Sequence, residues 1–249
     1  MDMFCYQCEQ TANGTGCTKL GVCGKDPATA ALQDLLVHAT EGISQYAYRA
    51  AKLGARDREI DVFVVESLFT TLTNVNFDPQ RLADRLAQAA KTRDRARSLY
   101  ESAARKAGQT PIVPTGPAQW APAADLAGLV EQGRQVGITG RLKNLGPDVT
   151  GLQELLTYGL KGTAAYADHA RILGQEDEGV YAFFHEALDF LAQNPVDVDS
   201  LLKMALRCGE INLKIMGKQD SDDIGDFDDV YDFDQAFDQY EINVAPRGE

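Results

Sequence analysis

Apolar residues recur every three or four positions from Leu32 onward. Leu32, Leu35, Leu36, Ala39, Ile43, Tyr46, Ala47, Ala50 and Leu53 fall on one face of a helix. Gly54 follows as a helix-ending glycine suited to the left-handed conformation. A second helix is predicted over 61–73, where Phe63, Val64, Leu68 and Leu72 keep a similar spacing. The stretch 74–79 interrupts it, with Asp78 as N-cap and Pro79 at the first helical position. A third helix then fills 79–107, rich in Ala, Arg and Lys, which are good helix formers.

This pattern occurs twice. The run 32–54 aligns without gaps to 152–174, and ten of 23 positions are identical at a constant offset of 120. The match continues through Phe63/Phe183, Glu66/Glu186, Leu68/Leu188, Asn74/Asn194 and Leu82/Leu202. Two copies at so long a period indicate a duplicated domain rather than a solenoid. No alternating strand pattern stands out. The predicted fold is all-α: an N-terminal Cys-rich segment (1–27), a three-helix bundle (28–110), a Pro-rich linker (111–124), a second three-helix bundle (125–216) and an acidic tail (217–249).

Charge is unevenly spread. The net charge is −13, and residues 218–249 hold eleven acidic and two basic residues, leaving only −4 for the rest. That balance argues against a nucleic-acid binder, which needs a basic face. The tail interleaves Asp with Phe, Tyr, Ile and Val, a composition that favours disorder and would suit a basic partner. Asp220, Asp222 and Asp226 lack the full pattern of a twelve-residue calcium loop. No run of about 18 apolar residues reads as a membrane span. The N-terminus shows no basic-then-apolar signal peptide, so a cytoplasmic location is expected.

The most specific chemistry lies at the start. Four of the five cysteines, Cys5, Cys8, Cys17 and Cys23, are spaced C-x2-C-x8-C-x5-C. In a reducing compartment, clustered cysteines are more often metal ligands than disulfides. Only Cys5 and Cys8 form the tight knuckle that a four-cysteine zinc site usually uses in pairs. The looser Cys17–Cys23 spacing suits a wider iron–sulfur cluster, and Gly14, Gly16, Gly21 and Gly24 let the backbone wrap closely around it. Zinc remains the alternative. Phe4 and Leu20 are expected to shield such a centre from water.

The segment from Met3 through Cys23, with Gly21-Val-Cys-Gly-Lys25 and Leu32-Gln-Asp-Leu-Leu36, resembles the N-terminus of the hybrid cluster protein (prismane, hydroxylamine reductase) family. The second copy, Leu152-Gln-Glu-Leu-Leu156 to His169, resembles that family's first domain as well. The resemblance runs to about Met216. It implies two three-helix bundles and a cubane [4Fe–4S] cluster on Cys5, Cys8, Cys17 and Cys23, a [2Fe–2S] centre belonging to a class with wider spacing. It also implies that this cluster passes electrons to a separate catalytic cluster, held in two later α/β domains, where hydroxylamine or nitric oxide is reduced. This chain offers no matching catalytic ligands. Electron transfer with a redox partner protein is therefore expected of it, and no catalytic residue is assigned.

The remaining candidates have plainer readings. Cys208 is expected to be a buried free thiol. His185-Glu186 begins a zinc-protease helix motif, but position 189 is Asp rather than His. His38 and His169 read as packed or surface histidines. Trp120 and the linker are expected to pack over one bundle end.

Overall fold

A computed structural model describes residues 3–73 and 75–219; the acidic-tail expectations lie outside the described residues. Among the described residues seven α-helices follow one another: α1 (Pro27–Lys52), α2 (Arg58–Thr70), α3 (Pro79–Lys106), α4 (Leu126–Val136), α5 (Ile138–Ile172), α6 (Glu178–Ala192) and α7 (Val198–Gln219). Among the described residues the only β-pairing is an isolated bridge between Cys5 and Cys17. The all-α expectation holds. Among the described residues, no helix is long and apolar enough to cross a membrane.

The predicted helix boundaries have visible causes. Asp26 caps α1 through the Thr29 N–H (2.6 Å), ahead of Pro27. Asp78 caps α3 through the Gln80 and Arg81 N–H groups, with Pro79 at the first helical position. Gly54 and its counterpart Gly174 both adopt positive φ (77° and 78°) immediately after α1 and α5, as the repeat requires. Helix α5 is broken at Gly146 (φ 79°, ψ 173°), where Pro147 starts a new helical segment. Its second part is the repeat of α1.

Each copy supplies three helices, α1–α3 and α5–α7, but the second helices are exchanged. α1 packs on α3 and, across the repeat, on α6; α5 packs on α7 and on α2. One continuous core results, drawing Leu35, Leu36, Ile43, Val64 and Leu68 from the first copy and Leu156, Leu160, Phe183, Phe184 and Leu188 from the second.

The exchange is pinned by a buried polar line. Ser44 Oγ on α1 lies 3.0 Å from His185 Nδ1 on α6, and His185 Nε2 lies 2.7 Å from Asp61 Oδ1 on α2. Its composition suggests a hydrolase triad, but Ser44 is fully buried and the ring is reversed, with Ser on Nδ1 and Asp on Nε2. The line is structural. Arg49 adds a second cross-copy tie to Asp189 at 2.5 Å.

The linker does not hang free. Gln45 on α1 donates to Thr115 O (3.2 Å) and accepts from Ala118 N–H (2.9 Å), and Gly42 lets the Pro117 carbonyl approach α1. Trp120 donates to Gln132 Oε1 on α4 (3.2 Å). The linker thus lies along α1, held by backbone–side-chain bonds.

Candidate metal centre

The cysteine segment folds back on itself ahead of α1. Cys5 and Cys17 exchange backbone hydrogen bonds (Cys5 N–H to Cys17 O, 3.1 Å; Cys17 N–H to Cys5 O, 2.8 Å), which brings two residues twelve apart side by side. Thr11 N–H bonds Cys8 O at 3.2 Å, and Thr11 Oγ1 donates to Cys5 O at 3.0 Å, tying the Cys8 turn to that bridge. Cys23 lies in a turn closed by Gly24 N–H to Gly21 O and Gly21 N–H to Lys25 O, both 2.8 Å. A Cβ at Gly21 would meet Cys23 Sγ at 3.0 Å, so the missing side chain makes room for the sulfur.

All four thiols are free; Cys17 is buried and the other three half-buried. Burial alone would raise the Cys17 thiol pKa. Donors from Ala12 N–H (3.4 Å), Val22 N–H and Thr11 Oγ1, with the Lys25 charge, outweigh it and hold the thiol below its ordinary value. A sulfur prepared in this way is a ready thiolate ligand, and N–H bonds to thiolates are a standard means of tuning iron–sulfur centres. Among the described residues, no three Cys, His, Asp or Glu side chains converge at single-ion spacing. The soft four-sulfur donor set, the N–H groups aimed at sulfur and the space above Gly21 fit a cluster.

Shielding differs from the expectation. Phe4 is half-buried over Gly16, but Leu20 is 57 % exposed and Val22 59 %. Phe4 begins an aromatic chain that spacing alone could not reveal. Phe4 and Tyr6 meet edge to face at 5.3 Å, and Tyr6 and Tyr158 of α5 at 5.5 Å. Burial pushes Tyr6 up to about 12 and Tyr158 higher still, so both keep their hydroxyl protons.

Behind the cysteines lies a cavity of about 320 Å³. Its walls follow the repeat. Gln33, Asp34, Val37, His38 and Glu41 of α1 face Gln153, Glu154, Thr157, Tyr158 and Lys161 of α5, the same positions at offset 120. The rest of the lining includes Cys5 and Lys25, ahead of α1, and Gly137 and Arg141, ahead of the Gly146 break in α5.

The cavity is ionisable throughout. Arg141 pairs with Glu154 and with Gln153 Oε1 (3.2 Å). Burial raises Asp34 to about 6 and Glu41 to about 8, lowers His38 to about 4, and lowers Lys161 to about 8. His38 thus lines the cavity, 3.7 Å from Glu41, while His169 meets Phe69 edge to face at 5.6 Å. Cys208 is buried beside Thr163 (3.7 Å), and burial raises its pKa, as a structural thiol should behave.

The chain matches the Prismane/CO dehydrogenase family over residues 3–227. The chain belongs to this family. It is 52 % identical over 223 residues to a hydroxylamine reductase of Rhodospirillum rubrum, covering 90 % of this chain and 41 % of that protein. Hydroxylamine reductases of Geobacter sulfurreducens (49 % over 219 residues, 87 % of this chain, 40 % of the relative) and Acidithiobacillus ferrooxidans (50 % over 218 residues, 86 % and 39 %) match similarly. The chain spans about two fifths of the length of these Prismane-family relatives. The resemblance read from the cysteine motif and the repeat is therefore established at the level of the family.

Proposed function

We propose that this chain is the iron–sulfur, electron-transferring part of a hydroxylamine-reductase-type oxidoreductase. Cys5, Cys8, Cys17 and Cys23 hold one [4Fe–4S] cluster, which supplies reversible one-electron storage when bound. The observation that carries this reading is the folded cysteine segment, with N–H groups directed at Cys17 sulfur, in a chain of the Prismane family. Electrons pass from a redox partner protein to a catalytic cluster carried elsewhere, where hydroxylamine or nitric oxide is reduced. Leu20 and Val22, exposed on the loop between Cys17 and Cys23, give such a partner an apolar foothold close to the cluster. The acidic tail is a docking segment for a basic partner. Unbridged thiols suit the reducing cytoplasm.

Anaerobic reconstitution with iron and sulfide tests the assignment. The expected result is about four irons and four sulfides per chain, with an EPR signal on reduction. A stoichiometry of about two irons would point to [2Fe–2S]. Tightly bound zinc without acid-labile sulfide would refute the electron-transfer reading and leave a metal-stabilised interaction module.

A further inference from the structure

Two lysines in this fold are buried with no carboxylate in direct contact. Lys25 is 3 % exposed and Lys161 4 % exposed, and both line the cavity behind Cys5. Among the described residues, neither has a carboxylate oxygen within 4 Å. The Lys161 ammonium lies 3.5 Å from the Thr71 carbonyl and 5.8 Å from the Tyr158 ring. The Lys25 ammonium lies 5.9 Å from the Phe77 ring. These are weak partners for a desolvated cation, and a buried charge is retained only where something of opposite sign compensates it.

The cavity's own carboxylates do not fill that role. Glu154 is engaged by Arg141, and Glu41, with its pKa near 8, is largely protonated at neutral pH. Asp34 alone is left to balance two ammonium groups. The lysines instead sit beside the cysteine segment. Gln7, between Cys5 and Cys8, donates to the same Thr71 carbonyl as Lys161, also at 3.5 Å. Lys25 packs its Cβ and backbone N at 3.1 and 3.2 Å from the Cβ position of Gly21, the residue that makes room for Cys23 Sγ. Lys161 therefore shares one cavity with Cys5, and Lys25 follows Cys23 by two residues and lines the same cavity.

We propose that Lys161, together with Lys25, is the buried counter-charge of the centre held by Cys5, Cys8, Cys17 and Cys23, and that it raises the reduction potential of that centre. The inference rests on the cluster reading above. An iron–sulfur cluster with four thiolates is net negative, and reduction adds one electron taken from an external donor, which is oxidised. A fixed cation at close range favours the more negative, reduced state. Lys161 is a positioning residue for charge and is not itself a ligand. The repeat places Glu41 at the equivalent position of α1, so of the two copies only α5 carries a cation at that position of the cavity wall.

The test uses the full chain, reconstituted anaerobically, with iron and sulfide analysis, a dye-mediated redox titration and the rate of iron loss to a chelator. Lys161→Met should lower the reduction equilibrium constant on the order of tenfold, 59 mV for one electron, and speed iron loss. Lys161→Arg should restore both. Lys25→Met carries the same expectation and serves if Lys161→Met does not fold. A folded, loaded Met variant with wild-type potential and wild-type iron loss would overturn the proposal, as would an Arg variant that behaves like Met. Failure of the wild-type chain to take up iron and sulfide would instead remove the cluster reading, and this inference with it.

Discussion

Replacing His185 by Leu should expose how strongly the two repeat copies depend on each other. The ring is 2 % exposed and joins α6 of the second copy to α1 and α2 of the first. Leu fills much of the ring's volume, so the change removes hydrogen bonds more than packing. The bond to Ser44 is worth about 1 kcal/mol, and the bond to the Asp61 carboxylate about 1.5–3 kcal/mol. Asp61 keeps 11 % of its side-chain surface open and would lose its buried partner, a situation that costs about 3–5 kcal/mol in total when one member of a buried pair is removed. The expected loss is therefore about 3–5 kcal/mol, a large share of a typical domain's stability. Urea denaturation followed by far-UV circular dichroism reads it, with wild type and variant in the same metal-loading state. The triple change His185→Leu, Asp61→Leu and Ser44→Ala should recover much of the loss, because no buried polar group is then left unpaired. A single-variant loss below about 1 kcal/mol would refute the reasoning, since such a value is ordinary for a surface change.

Three further outcomes are expected. Glu41, whose folded-state pKa is raised from 4.5 to about 8 by burial, contributes stability that is fully present below about pH 4.5 and lost as pH rises through about 8; Glu41→Gln should remove about 2–4 kcal/mol of that decline, read as the wild-type-minus-variant difference in unfolding free energy across pH 4–9. Gly42→Ala should destabilise by about 1–3 kcal/mol and shift Trp120 fluorescence, because the new Cβ runs into the Pro117 carbonyl. The repeat-equivalent Gly162→Ala meets nothing within 4 Å and should stabilise α5 by up to about 1 kcal/mol; equal melting shifts at the two sites would contradict the asymmetry. Finally, Cys17→Ala should abolish iron retention while Cys208→Ala leaves it intact, measured as iron per chain after reconstitution.

Much of this protein was legible in its sequence. The 120-residue repeat, the Asp-Pro helix start at Asp78, the helix-ending glycines and the four-cysteine spacing are local patterns, and local patterns follow from backbone sterics and capping chemistry. Tertiary structure decided the rest. Periodicity shows which face of a helix is apolar and does not name its partner, so the exchange of α2 and α6 between copies was not written in either copy alone. Glu41 and Lys161 look like ordinary solvated charges on an amphipathic helix. They are enclosed only because α1 and α5, 120 residues apart, meet across a cavity that the cysteine segment helps to close. Burial of a charge depends on every element around it, and that sum exists only once the chain has folded.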